Sequence, residues 1–242
     1  MQLEQVGRLA RESFRIISRA EYNTRQAVVY TIANELYKSM DTVIAANQVD
    51  ITQARQTGLT EALIDRLTLK ESRLTVLLSD LHALAALADM VGTIYDERKL
   101  ANGIKLHRQR VPLGVLGVIY DSRPNVTIDV AALVIKTGNS VILRGGKENI
   151  HSNRTLVEIV HKALNDAGLP EQCVQFIDNP DRKLVGEMLH LNQYIDAIIP
   201  RGGNSLHQFC RKNSTIPVIT GGIGICHIFV DSEVDQQAAL PV

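Results

Sequence analysis

The sequence has no tryptophan, an aromatic content of 4% and three cysteines in 242 residues. Cys173, Cys210 and Cys226 form no CxxC pair and are odd in number, which argues against a zinc site and against a disulfide framework. An excess of one charge is also missing, because 26 Lys and Arg balance 26 Asp and Glu. No global field would then draw the chain to nucleic acid or to an anionic membrane, and any anion binding has to be local. Long apolar runs are absent too. The opening MQLEQVGRLARESFRII is broken by Glu4, Arg8, Arg11 and Glu12, so it reads as neither a signal peptide nor a membrane span. These absences together lead to the expectation of a cytoplasmic protein in a reducing compartment. The seven histidines include no close pair at metal-ligand spacing, so no metal site is expected. No HExxH, GxSxG or P-loop motif occurs, and GVLGVIY places Gly114 and Gly117 inside a strand pattern, where no GxGxxG fingerprint can follow.

What is present changes period along the chain. From Leu3 to about Met90 apolar residues recur every three or four positions, as in Val28, Ile32, Leu36 and in Leu74, Leu77, Leu78, Leu81, which predicts amphipathic helices. Thr68 followed by Glu71 has the spacing of a capping box, and Gly58 marks a break between helices. The stretch from Gly92 to Arg110 alternates around Asn102-Gly103 and predicts a β-hairpin. After Pro112 come β-branched runs at 114–120, 140–144, 173–177, 194–200 and 216–220, separated by helix-length stretches. Such runs alternating with helices predict a doubly wound α/β domain with a parallel sheet. Gly138 and Gly168 read as helix stops, and Asn179-Pro180 as a helix start.

Open parallel sheets bind ligands beyond the carboxyl ends of their strands. Three loops fall there: Asp121-Ser122-Arg123-Pro124-Asn125, Arg144-Gly145-Gly146-Lys147, and Pro200-Arg201-Gly202-Gly203-Asn204. Two of them join paired glycines to a cation, which suits a nucleotide phosphate, although a single such loop equally describes a glycine turn with a solvated charge. Cys173, opening a strand, and Cys210, late in a helix, read as small core residues. Cys226 neighbours His227, but adjacent strand residues point to opposite faces, so a thiolate and base pair is not expected there.

At these loops the chain resembles the γ-glutamyl phosphate reductase family of the aldehyde dehydrogenase superfamily. The resemblance rests on DSRPNVT, LRGGKE, DNPDRKLVGEML, IIPRGGNSLHQFC and STIPVITGGIGICHIFVD, with NQVDITQARQTGLTEALIDRLTL in the N-terminal part, and runs over essentially all 242 residues in order. It implies an aldehyde-dehydrogenase-like fold: an N-terminal helical segment of the cofactor domain at 1–91, a β-hairpin oligomerisation arm at 92–111, an NADP-binding α/β domain at 112–230, and the start of a catalytic domain at 231–242. The implied reaction is NADPH-dependent reduction of L-glutamyl 5-phosphate to L-glutamate 5-semialdehyde with release of phosphate, through a cysteine thioacyl intermediate.

The resemblance also implies roles for individual residues. Asn125 falls where the superfamily stabilises an oxyanion. Arg144 and Lys147, with Gly145 and Gly146, fall where relatives hold the adenosine ribose, and two cations there suit a 2′-phosphate. Arg201, Gly202 and Gly203 match the pyrophosphate loop. Arg123 is a contact to the substrate's phosphate or carboxylate, or else a structural ion pair. Two departures stand out. The position of the general-base glutamate of aldehyde oxidisers is apolar, near Ile219, and the family's nucleophilic cysteine lies in a block after AALPV, beyond Val242. The rest of the catalytic domain is therefore expected to be absent from this chain, which alone is expected to be inactive. The implied partners are a homo-oligomer in the full-length form and glutamate 5-kinase. The alternative is a dinucleotide-binding interaction fragment without catalysis.

Overall fold

The computed structural model describes residues 3–221, 227 and 229–231. The first part is helical: α1 (Leu3–Ile17), α2 (Tyr22–Lys38), α3 (Met40–Gln56), α4 (Glu61–Leu67) and α5 (Glu71–Ala86). An antiparallel hairpin follows, β1 (Ile94–Lys99) and β2 (Lys105–Gln109), every residue of which is exposed. Beyond it strands and helices alternate: β3 (Val115–Tyr120), α6 (Asn125–Lys136), β4 (Ser140–Arg144), α7 (Ile150–Asp166), β5 (Val174–Phe176), α8 (Lys183–Met188), β6 (Ala197–Arg201) and α9 (Asn204–Asn213).

The four strands of the second part form a parallel sheet in the order β5-β4-β3-β6. Its strands are apolar on both faces because both faces are covered. Leu116, Val118 and Tyr120 of β3 pack with Val141 and Leu143 of β4 into a core shared with Val28, Ile32 and Leu36 of α2, Leu74 of α5, Ile128 of α6 and Leu156 of α7. The alternate residues Val115, Ile119 and Ile142 face a second core with Leu3 and Val6 of α1, Met188 of α8 and Cys210 of α9. The period-two alternation of side chains thus divides each strand between the two layers.

Gly58, Gly138 and Gly168 adopt positive φ at the ends of helices, as expected of helix stops. Three local expectations fail. Thr68 does not cap α5: its hydroxyl turns back to the Ile64 carbonyl at 2.7 Å, closing α4, and the helix starts after Lys70. Asn179 does not start a helix either, because its Oδ1 accepts from Asp181 N and the Asp181 carboxylate in turn accepts from Lys183 N, where α8 begins. The run 216–220 forms only one bridge, Ile198 to Val218. Pro217 accepts from Ile198 N at 2.8 Å but has no N–H to return, and pairing stops after Ile219 N donates to Ile198 O.

The helical part is joined to the sheet by a buried polar contact. The N-cap residue of α7, Asn149, makes no side-chain capping bond. Asp50 of α3 takes that role across the layer, its carboxylate accepting from Ser152 N at 2.8 Å, Ser152 Oγ at 2.6 Å and His151 N at 3.2 Å. A carboxylate at a helix N-terminus is favoured by the free amides and by the helix dipole. One turn earlier, Asn47 donates to Leu67 O and Ser152 Oγ and accepts from Leu69 N. Asp50 is 2% exposed, so its removal leaves α7 amides unpaired in the interior. Asp50→Ala is expected to destabilise the chain by about 2–4 kcal/mol and Asp50→Asn by less. Urea unfolding of the two variants checks this, and a loss below about 0.5 kcal/mol for the alanine would show that the contact is not structural.

Candidate functional site at the carboxyl edge of the sheet

Parallel pairing sets the position of the three loops. Ile119 of β3 lies level with Arg144 of β4 and Pro200 of β6, and Tyr120 lies level with Arg201. Arg144 and Arg201 therefore end neighbouring strands on either side of β3, at one edge. Asp121, Ser122, Arg123 and Asn125 leave β3 between them.

On the β4 side, Gly145 sits where a Cβ would lie 3.1 Å from the Tyr120 ring and against Asn153, so only glycine fits. A Cβ on Gly146 would lie 2.7 Å from Glu148 Oε2 and 3.5 Å from Ser122 N, so this glycine floors a gap between the β3 and β4 loops that the Glu148 carboxylate fills. Glu148 is turned across that gap, its Oε2 3.4 Å from Ser122 Oγ, while Lys147 is exposed beside it. Arg144 behaves differently from a cation offered to a ligand. It is 7% exposed and donates to the carbonyls of Gly145 and of Pro180, the latter at 3.0 Å. Burial lowers its pKa, and the charge of Glu148 opposes that shift. Arg144 thus braces the loop from beneath, with its Nε unpaired.

Other buried polar atoms at this loop also lack partners. Both amide atoms of Asn149 and the Nδ2 of Asn153 are orphaned, while Asn153 Oδ1 accepts from Thr127 Oγ1 at 2.7 Å. Buried polar groups are ordinarily paired, so orphans concentrated beside a glycine gap fit a ligand-binding loop. The paired glycines and the exposed Lys147 are the groups here that suit a nucleotide phosphate, while the unpaired amides of Asn149 and Asn153 lie buried behind them.

On the β6 side, Arg201, Gly202 and Gly203 border a pocket of about 210 Å³ together with Asp121, Arg123 and Arg66. Gly203 is the N-cap of α9, whose free amides open onto it. Arg123 has only a long ion pair with Asp121, 3.9 Å, with both side chains partly exposed, which contributes little. Arg66, on α4, was not singled out in the sequence, since its spacing reads only as the solvated face of an amphipathic helix.

Arg66 and Arg123 also border a larger cavity of about 570 Å³ between α4, α5 and the start of α6. Asn125 opens α6 on its wall and donates its amide Nδ2 to Asp129 Oδ2 at 3.0 Å, one turn on. Burial pushes the Asp129 carboxyl up to about 6, against the hydrogen bond from Asn125 and with the charge of Asp80 adding to the rise. Neither Asp80 nor Asp129 was picked out by motif. The available signal was Asp129 standing as the one acid of the mostly apolar helix NVTIDVAALVIK.

The described cysteines are not poised as nucleophiles. Burial pushes the Cys173 thiol up to about 12 and raises that of Cys210 as well. Cys226 lies outside the described residues. Among the described residues no group of three or more His, Cys, Asp and Glu could hold a metal ion, and no helix is long and apolar enough to cross a membrane.

Comparison with known proteins agrees with this architecture. The family model of the aldehyde dehydrogenase family matches residues 1–240. The chain is 52% identical over 240 residues to a γ-glutamyl phosphate reductase of Salmonella agona (strain SL483), covering 99% of this chain and 58% of that protein. It superposes on the crystal structure of γ-glutamyl phosphate reductase from Thermotoga maritima with a TM-score of 0.89 at 38% identity, over 100% of this chain and 58% of that one. For the Saccharomyces cerevisiae enzyme the TM-score is 0.82 at 33% identity, over 89% and 55%. The chain thus spans somewhat over half the length of the relatives it matches.

The Asp129 carboxyl yields a test by titration. The folded state holds its proton more tightly than the unfolded chain, so its stabilising contribution is complete below about pH 4 and is lost as the pH rises through about 6. Asp129→Asn removes the ionisation and keeps an acceptor for Asn125. After a discount for its partial exposure, the substitution is expected to stabilise the chain by about 2 kcal/mol near pH 8, with the difference closing near pH 4. Denaturant unfolding at the two pH values measures it, and a variant less stable at both would contradict the assignment.

Proposed function

The chain belongs to the aldehyde dehydrogenase family, and within it we propose that it forms the cofactor-binding part of an NADPH-dependent reductase of L-glutamyl 5-phosphate, yielding L-glutamate 5-semialdehyde and phosphate. The observation that carries the choice of substrate is the 52% identity, across 99% of the chain, to a protein named γ-glutamyl phosphate reductase. Support for the cofactor comes from the glycine-lined gap at Gly145 and Gly146, with Lys147 at its rim and the Arg201-Gly202-Gly203 loop across β3.

In this reading the Gly146 gap and Lys147 hold the adenosine end of the dinucleotide, and the amides opening α9 at Gly203 face its phosphates. When bound, NADPH supplies the hydride. Asn125 uses one amide hydrogen on Asp129 and has a second to offer to an oxyanion. Asp129 is then a positioning residue for that amide. Arg123 and Arg66 present positive charge toward an anionic group of the substrate. The thiolate that attacks the acyl phosphate is assigned to a residue other than Cys173 and Cys210, whose thiols are buried. Ile219, where aldehyde oxidisers carry a general base, suits a reductase that hydrolyses no thioester. The exposed hairpin β1–β2, with Ile94, Tyr95 and Leu106 on its surface, is proposed as the arm of a homo-oligomer. A cytoplasmic location and contact with glutamate 5-kinase accompany this reading as proposals.

The buried cysteines favour a second reading for the chain by itself, a dinucleotide-binding module without catalysis. The two readings share a test. The 242-residue chain is expected to bind NADPH more tightly than NADH by about 1–3 kcal/mol, the scale of charge-assisted hydrogen bonds. Lys147→Ala should narrow the gap, and Glu148→Gln should widen it by removing a negative charge beside the 2′-phosphate. Calorimetric titration of both nucleotides measures these differences, and equal affinities in the unsubstituted chain would remove the NADP assignment. Incubation with glutamate semialdehyde, phosphate and NADP separates the readings: no nucleotide reduction is expected from the chain alone, and cysteine-dependent turnover would exclude the binding-module reading.

A further inference from the structure

We propose that the cavity between α4, α5 and the start of α6 is the subsite for the amino-acid end of the substrate, with the carboxylates of Asp129 and Asp80 receiving its α-ammonium group and Arg66 with Arg123 facing its α-carboxylate. The inference rests on the function proposed above and deepens it by assigning the residues that distinguish an α-amino acid from a simple acyl chain.

Geometry supplies the first support. The cavity of about 570 Å³ has the size of a small-molecule site, and Asn125, to which the oxyanion is assigned, lies on its wall. A substrate with its reacting carbonyl at Asn125 would extend its remaining carbons into this space. The smaller pocket bordered by Arg201, given above to the dinucleotide's phosphates, adjoins it through Arg66 and Arg123, so cofactor and amino-acid end would lie in neighbouring compartments.

Charge supplies the second. Asp129 has one hydrogen-bond donor, the Asn125 amide, and no cationic partner in any of the ion pairs of the described residues. Asp80 faces the same cavity, and its charge raises the cost of ionising Asp129. The two carboxylates face the cavity from different helices, Asp80 from α5 and Asp129 from α6, and a cation entering the cavity would relieve the repulsion that Asp129 meets. The neighbouring Arg73 cannot serve, because its guanidinium is held by both oxygens of Asp65 at 2.8 Å and by the Thr68 carbonyl at 2.9 Å. A primary ammonium has three donors and reaches two carboxylates at once. Arg66 and Arg123 are not locked in this way, and an α-carboxylate is the ligand group they suit.

The experiment uses the 242-residue chain and three probes of one length: L-glutamate 5-methyl ester, monomethyl glutarate, which lacks the amine, and methyl 4-aminobutanoate, which lacks the α-carboxylate. Binding is read by NMR titration or calorimetry at about pH 8. The first probe should bind saturably, and each of the others at least about tenfold more weakly. Asp129→Asn and Asp80→Asn should each bring the ester down to the affinity of monomethyl glutarate, and Asp80, being exposed, serves as the variant that leaves the core intact. Equal binding of ester and monomethyl glutarate, no saturable binding of the ester, or binding unchanged by both substitutions would overturn the proposal. NADPH binding does not use this cavity, so a chain that binds the nucleotide and ignores the amine defeats this inference alone. Failure to bind the nucleotide would defeat the wider function.

Discussion

Parallel pairing around β3 is the constraint from which the site follows. Parallel strands all present their carboxyl ends at one edge, and a strand flanked on both sides places three loops next to one another without any contact between the loops themselves. The pairing of Ile119 with Arg144 and with Pro200 is therefore the structural origin of the candidate site. A one-residue slip of either neighbour would turn its loop's side chains to the other face, away from the gap at Gly146. The two-layer core holds that register, since every residue of β3 except Gly117 belongs to one layer or the other.

Much of this was legible in the sequence for a physical reason. Strands buried on both faces read as unbroken β-branched runs, and loops that approach a phosphate need glycine beside a cation. Both signals are local. Contributions from distant parts of the chain were not legible in the same way. Arg66 reaches the site from α4, and Asp50 caps a helix that begins a hundred residues later, and neither carries a local mark of its partner. The capping expectations at Thr68 and Asn179 failed because each residue had a competing partner nearby, an acceptor four residues back for Thr68 and a donor two residues on for Asn179, and spacing alone does not rank these. Arg144 shows the same limit in another form. Its position was right, but the direction of its guanidinium depends on the Pro180 carbonyl, which arrives from the segment after β5.

Among the described residues most buried unsatisfied side-chain atoms lie in one place, with Ser140 Oγ at the opposite end of β4 the exception. Unpaired amides at Asn149 and Asn153, the unpaired Nε of Arg144 and the half-paired carboxylate of Asp129 all lie around the carboxyl edge of β3 or on the helix that leaves it. Elsewhere buried cationic side chains have partners. Arg25 reaches Asp89 at 2.7 Å and also bonds to the Ala20 and Lys136 carbonyls, and Lys136 donates to Ala85 O. A protein that pairs most of its buried polar groups away from the site and leaves several open near it holds local conflict there.

The reach of Asp50 to Ser152 has a consequence for how the chain is made. On a ribosome adding about 5–20 residues per second, α2 and α3 leave the exit tunnel several seconds before α7 exists to cover them. During that interval Val28, Ile32 and Leu36 have only other helices of the nascent segment to pack against, and the Asp50 carboxylate meets water instead of amides. The wait ends only when α7, the helix after β4, has emerged. Slow codons placed before that point would lengthen the exposure, and a pause placed after it would not.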